Sequence, residues 1–250
     1  ESEGDVQVLQ VSRHLRKLRR GVHRANHFTL VLRELVGARV ALEQRLEILR
    51  DEGVPNYFGE QRFGRNGSTL EQAQRWMRSG RRISREKRSL YFSALRSYVF
   101  NQLLAVRVEN GDWNKIRSGD VCLLNGTRSF FTCDELDDDV CSRASFGDIH
   151  PGLPLWGRSQ STAEMGFNDL QRDCLAQCQP VCAFLEESGL DLAWRPARMV
   201  PDDFCWEVCD DGSLRLEFAL GAGSYATALL AELVDYKERR TQSGIGSEQD

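Results

Sequence analysis

Strand-forming segments sit at the two ends of this chain, and helical periodicity fills most of the stretch between them. Phe28–Leu32, Phe204–Val208 and Leu214–Leu220 are rich in β-branched, aromatic and other apolar residues, the composition that suits a pleated, half-buried surface. Gln7–Val11 reads the same way. Val40–Arg50 carries apolar residues at helical spacing, with Glu43 and Glu47 placed for an exposed face. Further helices are expected over Thr69–Arg78, with Ser68 as N-cap and Glu71 in the capping-box position, and over Ser84–Val108, Asp169–Glu187 and Ser224–Val234. Asn125-Gly126 and Asp210-Asp211-Gly212 mark hairpin turns. Asp134–Asp139 and the Pro151–Gly157 stretch read as loops, and Thr241–Asp250 as a disordered polar tail. The class this implies is α+β, with strands at both ends and a helical insertion between them.

The chain has 250 residues, 41% of them hydrophobic, enough for a sizeable core in one or two domains. No apolar run reaches the roughly 18 residues of a membrane helix. The acidic, polar opening Glu1–Asp5 lacks the character of a secretory signal, so a cytoplasmic location with reduced thiols is expected. Of the eight cysteines, Cys174, Cys178 and Cys182 are spaced along one expected helix, and Cys205 and Cys209 lie in a strand-like stretch. Ordinary thiols fit these contexts better than a zinc site does, and no metal is expected.

Charge is divided unevenly. Residues 1–118 hold 23 Lys+Arg against 13 Asp+Glu, or +10; the remainder hold 10 against 24, or −14. A basic half suits a polyanion such as RNA, though a solvated surface gives the same count. Two clusters stand out: Arg13, Arg16, Lys17, Arg19, Arg20 and Arg24, then Arg78, Arg81, Arg82, Arg85, Lys87 and Arg88.

The segment Gly53-Val54-Pro55-Asn56-Tyr57-Phe58-Gly59-Glu60-Gln61-Arg62-Phe63-Gly64 resembles the signature G-V-P-N-Y-F-G-x-Q-R-F-G of the TruD family of tRNA pseudouridine synthases. Asn26-His27-Phe28-Thr29-Leu30, the stretch from Lys87-Arg88-Ser89 through Phe100-Asn101-Gln102, and Gly223-Ser224-Tyr225-Ala226-Thr227 match further family motifs, in family order. The resemblance covers about residues 6–236. It implies a mixed-sheet pseudouridine synthase catalytic domain, here N-terminally incomplete, interrupted by an α/β TRUD domain. Residues 1–52 and 200–250 would form the catalytic part and 53–199 the insertion. It also implies a monomer, a tRNA partner, no membrane and no cofactor, since the reaction is an isomerisation. The family's usual target is the uridine at position 13 in the D arm.

The family's catalytic aspartate lies in a G-x-K-D motif upstream of N-x-F. No such motif occurs in these 250 residues. The resemblance therefore puts that residue before Glu1, assigns no catalytic residue within the chain, and implies that the chain alone is inactive. Asp5, Asp120 and Asp148 lack the required context.

What remains is the wall of a site. The resemblance gives Phe28 the role of stacking on an unstacked uracil, Asn26 that of orienting the carboxylate or base edge, and Tyr225 a place at the cleft. Each also has a plain structural reading: a core Phe, a strand-entry Asn, a packed Tyr. Arg62, with Gln61, either lines the cleft or ties the signature loop down. Arg13, Arg16, Lys17, Arg19, Arg20, Arg24, Arg82, Arg85 and Arg88 are the RNA-backbone candidates. The same surface would also serve a non-catalytic RNA-binding protein or RNA chaperone.

Overall fold

The computed structural model describes residues 11–13, 23–127, 129–159 and 166–236. Gln7–Val11 lies almost wholly outside them, as do Arg16, Lys17, Arg19, Arg20 and the tail from 241. The first and last strands of the described residues meet. Strand β1 (Ala25–Leu32) pairs antiparallel with β9 (Leu214–Gly221), and β9 with β8 (Asp202–Val208), giving the order β1-β9-β8. The register sets Asn26 opposite Leu220 and Phe28 opposite Phe218. Side chains alternate across a strand, so Phe28, Leu30 and Leu32 share a face with Leu214, Leu216, Phe218 and Leu220. That face packs on helices α1 (Arg39–Glu52) and α6 (Ala226–Leu233), around Leu46, Leu49, Leu229 and Leu230. The opposite face carries His27, Thr29, Arg215 and Glu217. Among the described residues β1 has a partner on one side only.

Between α1 and β8 the chain builds a second body. A two-residue neck, β2 (Val54–Pro55) on β7 (Arg198–Met199), connects the two. Beyond it lie helices α2 (Ser68–Ser79), α3 (Arg85–Glu109) and α5 (Asp169–Glu187). They cover a four-stranded antiparallel sheet of order β4-β3-β5-β6, made of β3 (Val121–Leu124), β4 (Phe130–Thr132), β5 (Ile149–Leu155) and β6 (Ala193–Pro196). Helix α3 is apolar on most sides because it is enclosed; Leu95, Val99, Phe100, Leu103 and Leu104 are fully buried. Ser84 caps it by accepting the Lys87 amide at 3.3 Å. Asn168 and Gln171 form a capping box on α5.

Three local expectations change. Ser68 is the first residue of α2 rather than its cap, and Glu71 pairs with Arg75 at 3.0 Å. The capping is done by the Phe63 carbonyl, which accepts the amides of Thr69 and Leu70. The acid run is half helix: Asp137 caps α4 (Asp138–Ser145) by accepting the Val140 amide at 2.8 Å, and Asp138 and Asp139 lie where the helix dipole favours carboxylates. The Pro151–Gly157 stretch is largely strand, at the centre of the sheet. Strand β5 is buried along nearly its whole length, so it lacks an alternating pattern. Pro151 stays in the ladder through its carbonyl, which accepts the Ala197 amide at 2.7 Å.

Candidate functional site

The matched segments, scattered over 200 residues of sequence, come together at the neck. Gly53 ends α1 with φ +73°, and a Cβ there would strike the Met199 carbonyl; only glycine lets β2 start against β7. Asn56 is 3% exposed. Its Nδ2 donates to the Pro196 carbonyl at 2.9 Å, and its Oδ1 accepts Arg195 Nη2 at 2.6 Å. The Asn101 amide then holds the backbone of Phe58 at both ends, accepting its N–H at 2.9 Å and donating to its carbonyl at 3.0 Å. The signature loop is thus tied to α3 and β6 by side-chain hydrogen bonds in addition to its own backbone turns at Gly59–Phe63.

Arg195 is the hub. It is 9% exposed and faces no carboxylate. Besides Asn56 it donates to the Gly223 carbonyl at 3.0 Å. Its guanidinium lies 4.0 Å from the Phe58 ring centroid and 5.4 Å from that of Phe100. Burial brings its pKa down to about 10, and the charge of Arg62 adds to that; it stays protonated at neutral pH. Carbonyl dipoles and aromatic faces stand in for the missing counter-ion.

Arg62 spans the same junction. Its Nε donates to the Tyr225 hydroxyl at 3.0 Å and its Nη1 to Ser93 Oγ at 2.8 Å. Tyr225 stands at the N-cap of α6, tilted against Phe58 with centroids 6.0 Å apart. Gly59 is the close-approach position: a Cβ there would sit 2.6 Å from Thr227 Oγ1 and 3.2 Å from Tyr225 Cδ1. Asn56, Phe58, Gly59, Arg62, Asn101, Arg195, Gly223 and Tyr225 therefore form one bonded and stacked assembly.

Asn26 and Phe28 lie on the adjoining sheet edge. Ala25 pairs with Gly221, and Ser224 N–H bonds back to Gly221, so β1 leads directly to the turn that carries Tyr225. Phe28 is half-buried. One side of its ring stacks on Phe218 at 5.3 Å and 24°, and Asn26 is exposed. Parity sets both on the core-facing side of the sheet, at its open rim.

Arg13 and Arg24 are exposed; Arg16, Lys17, Arg19 and Arg20 lie outside the described residues. Arg82, Arg85 and Arg88 are exposed at the start of α3. Of the aspartates singled out in the sequence, Asp5 lies outside the described residues, and Asp120 and Asp148 are committed to ion pairs. Asp120, 7% exposed, accepts Arg107 at 2.9 Å through both oxygens together with the Arg117 amide, and Asp148 pairs with Arg143 at 2.7 Å. The eight cysteines are free thiols. Among the described residues no group of three or more His, Cys, Asp or Glu is arranged to hold a metal, and no helix is long and apolar enough to cross a membrane.

Sequence reasoning passed over Arg195, Ser93 and the structural amides of Asn56 and Asn101. The amides lie inside matched motifs, so their positions carried a signal even though their roles did not. Arg195, in an unremarked Ala193–Pro196 stretch, carried none.

A model of the family described as tRNA pseudouridine synthase D (TruD) matches residues 2–71 and 67–233. The chain is 44% identical over 237 residues to a protein named tRNA pseudouridine synthase D from Methylococcus capsulatus, covering 94% of this chain and 67% of that one. It is 40% identical over 249 residues to the protein of the same name from Aeromonas salmonicida, covering 98% and 70%. The chain thus spans about two thirds of the length of these curated relatives. A solved Methanosarcina mazei structure that carries the TruD name superposes with a TM-score of 0.54 at 17% identity, over 84% of this chain and 68% of that one; at that identity the likeness concerns the fold.

Proposed function

We propose, from the premise that the chain belongs to the tRNA pseudouridine synthase D family, that the native protein isomerises a uridine of tRNA to pseudouridine. The uridine is taken to be position 13 of the D arm. The observation that carries this reading is the convergence of four separated motifs on one junction beside an open sheet rim.

In the reaction the N1–C1′ bond breaks, the uracil turns, and C5 bonds to C1′; C5 then loses its proton and N1 gains one. Atoms balance with no redox step and no co-reactant. A carboxylate drives the exchange. Within the described loops Asp120 and Asp148 are engaged in ion pairs, which supports placing that carboxylate in an aspartate upstream of Glu1. Residues 1–250 alone are then inactive.

The reactive base must leave its stack, at a cost of a few kcal/mol. Phe28 offers an aromatic surface worth about 1–3 kcal/mol to a stacked base, and its seat on Phe218 keeps the ring from swinging away. Asn26, two residues earlier on the same face, orients the carboxylate or the base edge. Tyr225, held by Arg62, bounds the cleft. Residues 1–52 and 200–250 serve as the catalytic part and 53–199 as the TRUD insertion. Arg13, Arg16, Lys17, Arg19, Arg20, Arg24, Arg82, Arg85 and Arg88 grip the tRNA backbone; Arg62, engaged with Tyr225 and Ser93, contributes mainly by position. The enzyme works as a cytoplasmic monomer.

The test is incubation of the full-length protein with an unmodified tRNA transcript, followed by carbodiimide labelling and primer extension. A stop at one D-arm uridine is expected. Tight tRNA binding with no pseudouridine would favour a non-catalytic RNA-binding role, and turnover by residues 1–250 alone would contradict the assignment of the carboxylate upstream.

A further inference from the structure

A cavity of about 720 Å³ lies between the end of α2, the 80–84 connection, the start of α3 and the end of α5. Its size is that of a small-ligand site. Four arginines, Arg81, Arg82, Arg85 and Arg88, are among its lining residues, and no Asp or Glu is. None of the four has an ion-pair partner among the described residues, whereas Arg39, Arg45, Arg50, Arg75 and Arg143 each do. All four are exposed, with no carboxylate among the lining residues, so the cavity presents an open positive rim suited to an anion.

The floor is aromatic. Trp76, Phe92 and Phe184 line the cavity and pack edge-on, Trp76 lying 5.3 Å from each of the other two. The Trp76 indole N–H is used up on the Arg81 carbonyl at 2.8 Å, which fixes the ring and leaves the cavity without that donor. Cations at a rim over a rigid aromatic floor are what a nucleotide needs: phosphate on the arginines, base on the rings.

The cavity also lies in line with the proposed active site. Arg85, Arg88, Ser89 and Phe92 fall at i, i+3, i+4 and i+7, one face of α3. Ser93, one turn beyond Ser89, holds Arg62, which holds Tyr225. With about 1.5 Å of rise per residue, Ser89 and Arg85 lie roughly 6 and 12 Å along the helix from that contact.

We propose that this cavity is a second RNA subsite, which takes an unstacked nucleotide of the substrate away from the reacting uridine. The inference rests on the tRNA reading above and adds to it a place where the insertion holds the substrate strand. Together the two sites grip one RNA at two points, and the cavity sets affinity and choice of substrate.

The experiment is the salt dependence of binding of an unmodified tRNA transcript to the full-length protein, wild type against Arg82→Ala/Arg85→Ala/Arg88→Ala. A control triple, Arg39→Ala/Arg158→Ala/Arg172→Ala, removes as much charge elsewhere. Each phosphate contact to a single strand contributes about 0.7 to the slope of log K on log salt. The cavity variant is expected to flatten the slope by about 2 and to weaken binding about tenfold or more at 0.1 M salt, and the control to change neither appreciably. In parallel, a 4-thiouridine-substituted transcript is expected to cross-link to the peptides carrying Trp76 or Phe92. An unchanged slope in the cavity variant, equal effects in both triples, or cross-links that avoid those peptides would overturn the proposal. Wild-type conversion of the transcript, measured alongside, separates such a failure from failure of the isomerase reading itself.

Discussion

Replacing Arg195 tests whether the buried guanidinium holds the junction together. Arg195→Met keeps most of the volume and removes every polar contact. Its two short charge-assisted hydrogen bonds disappear, to Asn56 Oδ1 at 2.6 Å and to the Gly223 carbonyl at 3.0 Å, at about 1.5–3 kcal/mol each, together with two long, weak ones to the Asn56 carbonyl at 3.3 and 3.4 Å. The stacked contact over Phe58 at 4.0 Å is worth about 2 kcal/mol when desolvated. Against this, the variant no longer buries a charge. The fall of the Arg195 pKa from 12.5 to about 10 puts that relief at roughly 3 kcal/mol, at 1.36 kcal/mol per unit. A net loss of about 3 kcal/mol remains, of which Arg195→Lys should recover part. Arg195→Ala adds a cavity and should cost about 5 kcal/mol. Urea unfolding of the full-length protein measures each value through the midpoint at an unchanged m. If Arg195→Met unfolds within about 0.5 kcal/mol of wild type, the desolvation cost cancels the contacts and the hub assignment is wrong.

Two further perturbations probe other parts of the structure. Gly59→Ala should destabilise by about 1–3 kcal/mol, because its Cβ would lie 2.6 Å from Thr227 Oγ1. That hydroxyl is buried without a partner, so Gly59→Ala/Thr227→Ala should be more stable than the single Gly59 variant, and a double variant as unstable as the sum of both would refute the contact. His150, 5% exposed on β5, has its pKa lowered from 6.5 to about 4, first by burial and then by Arg198. The unfolded chain therefore takes up the proton first. Relative to His150→Gln, stability should be whole above about pH 6.5 and decline by roughly 3 kcal/mol as pH falls to about 4; parallel pH–stability curves for the two proteins would contradict this.

Where burial was one-sided or helical spacing was long, the elements could be read directly. Leu214–Phe218 alternates because one face is core and the other more exposed, and α5 spans the expected residues because its capping box is local. The failures have a common cause in tertiary contacts. The middle of β5 looks like a loop because Pro151, Gly152 and Pro154 sit in a strand enclosed on both sides, where alternation has no meaning. The start of α2 was misplaced because a carbonyl from the preceding loop, not a side chain, does the capping. The site divides the same way. Asn26, Phe28 and Tyr225 were found because they lie inside matched motifs. Arg195 was not, since its role depends on Phe58, Asn56 and Gly223 arriving from three different elements, which spacing along the chain does not encode.

The most direct measurement is the single-turnover rate of pseudouridine formation in a tRNA transcript by the full-length protein, wild type against Phe28→Leu. Leucine can fill much of the half-buried site on Phe218 at a cost below about 1.5 kcal/mol, but it offers no aromatic face. The expected result is conversion by wild type, and a folded Phe28→Leu protein slowed about 5- to 150-fold, the rate equivalent of a lost base stack of about 1–3 kcal/mol. Wild-type protein that forms no pseudouridine, or a Phe28→Leu protein within about twofold of wild type, would contradict the assignment of this sheet rim as the wall of a pseudouridine synthase site.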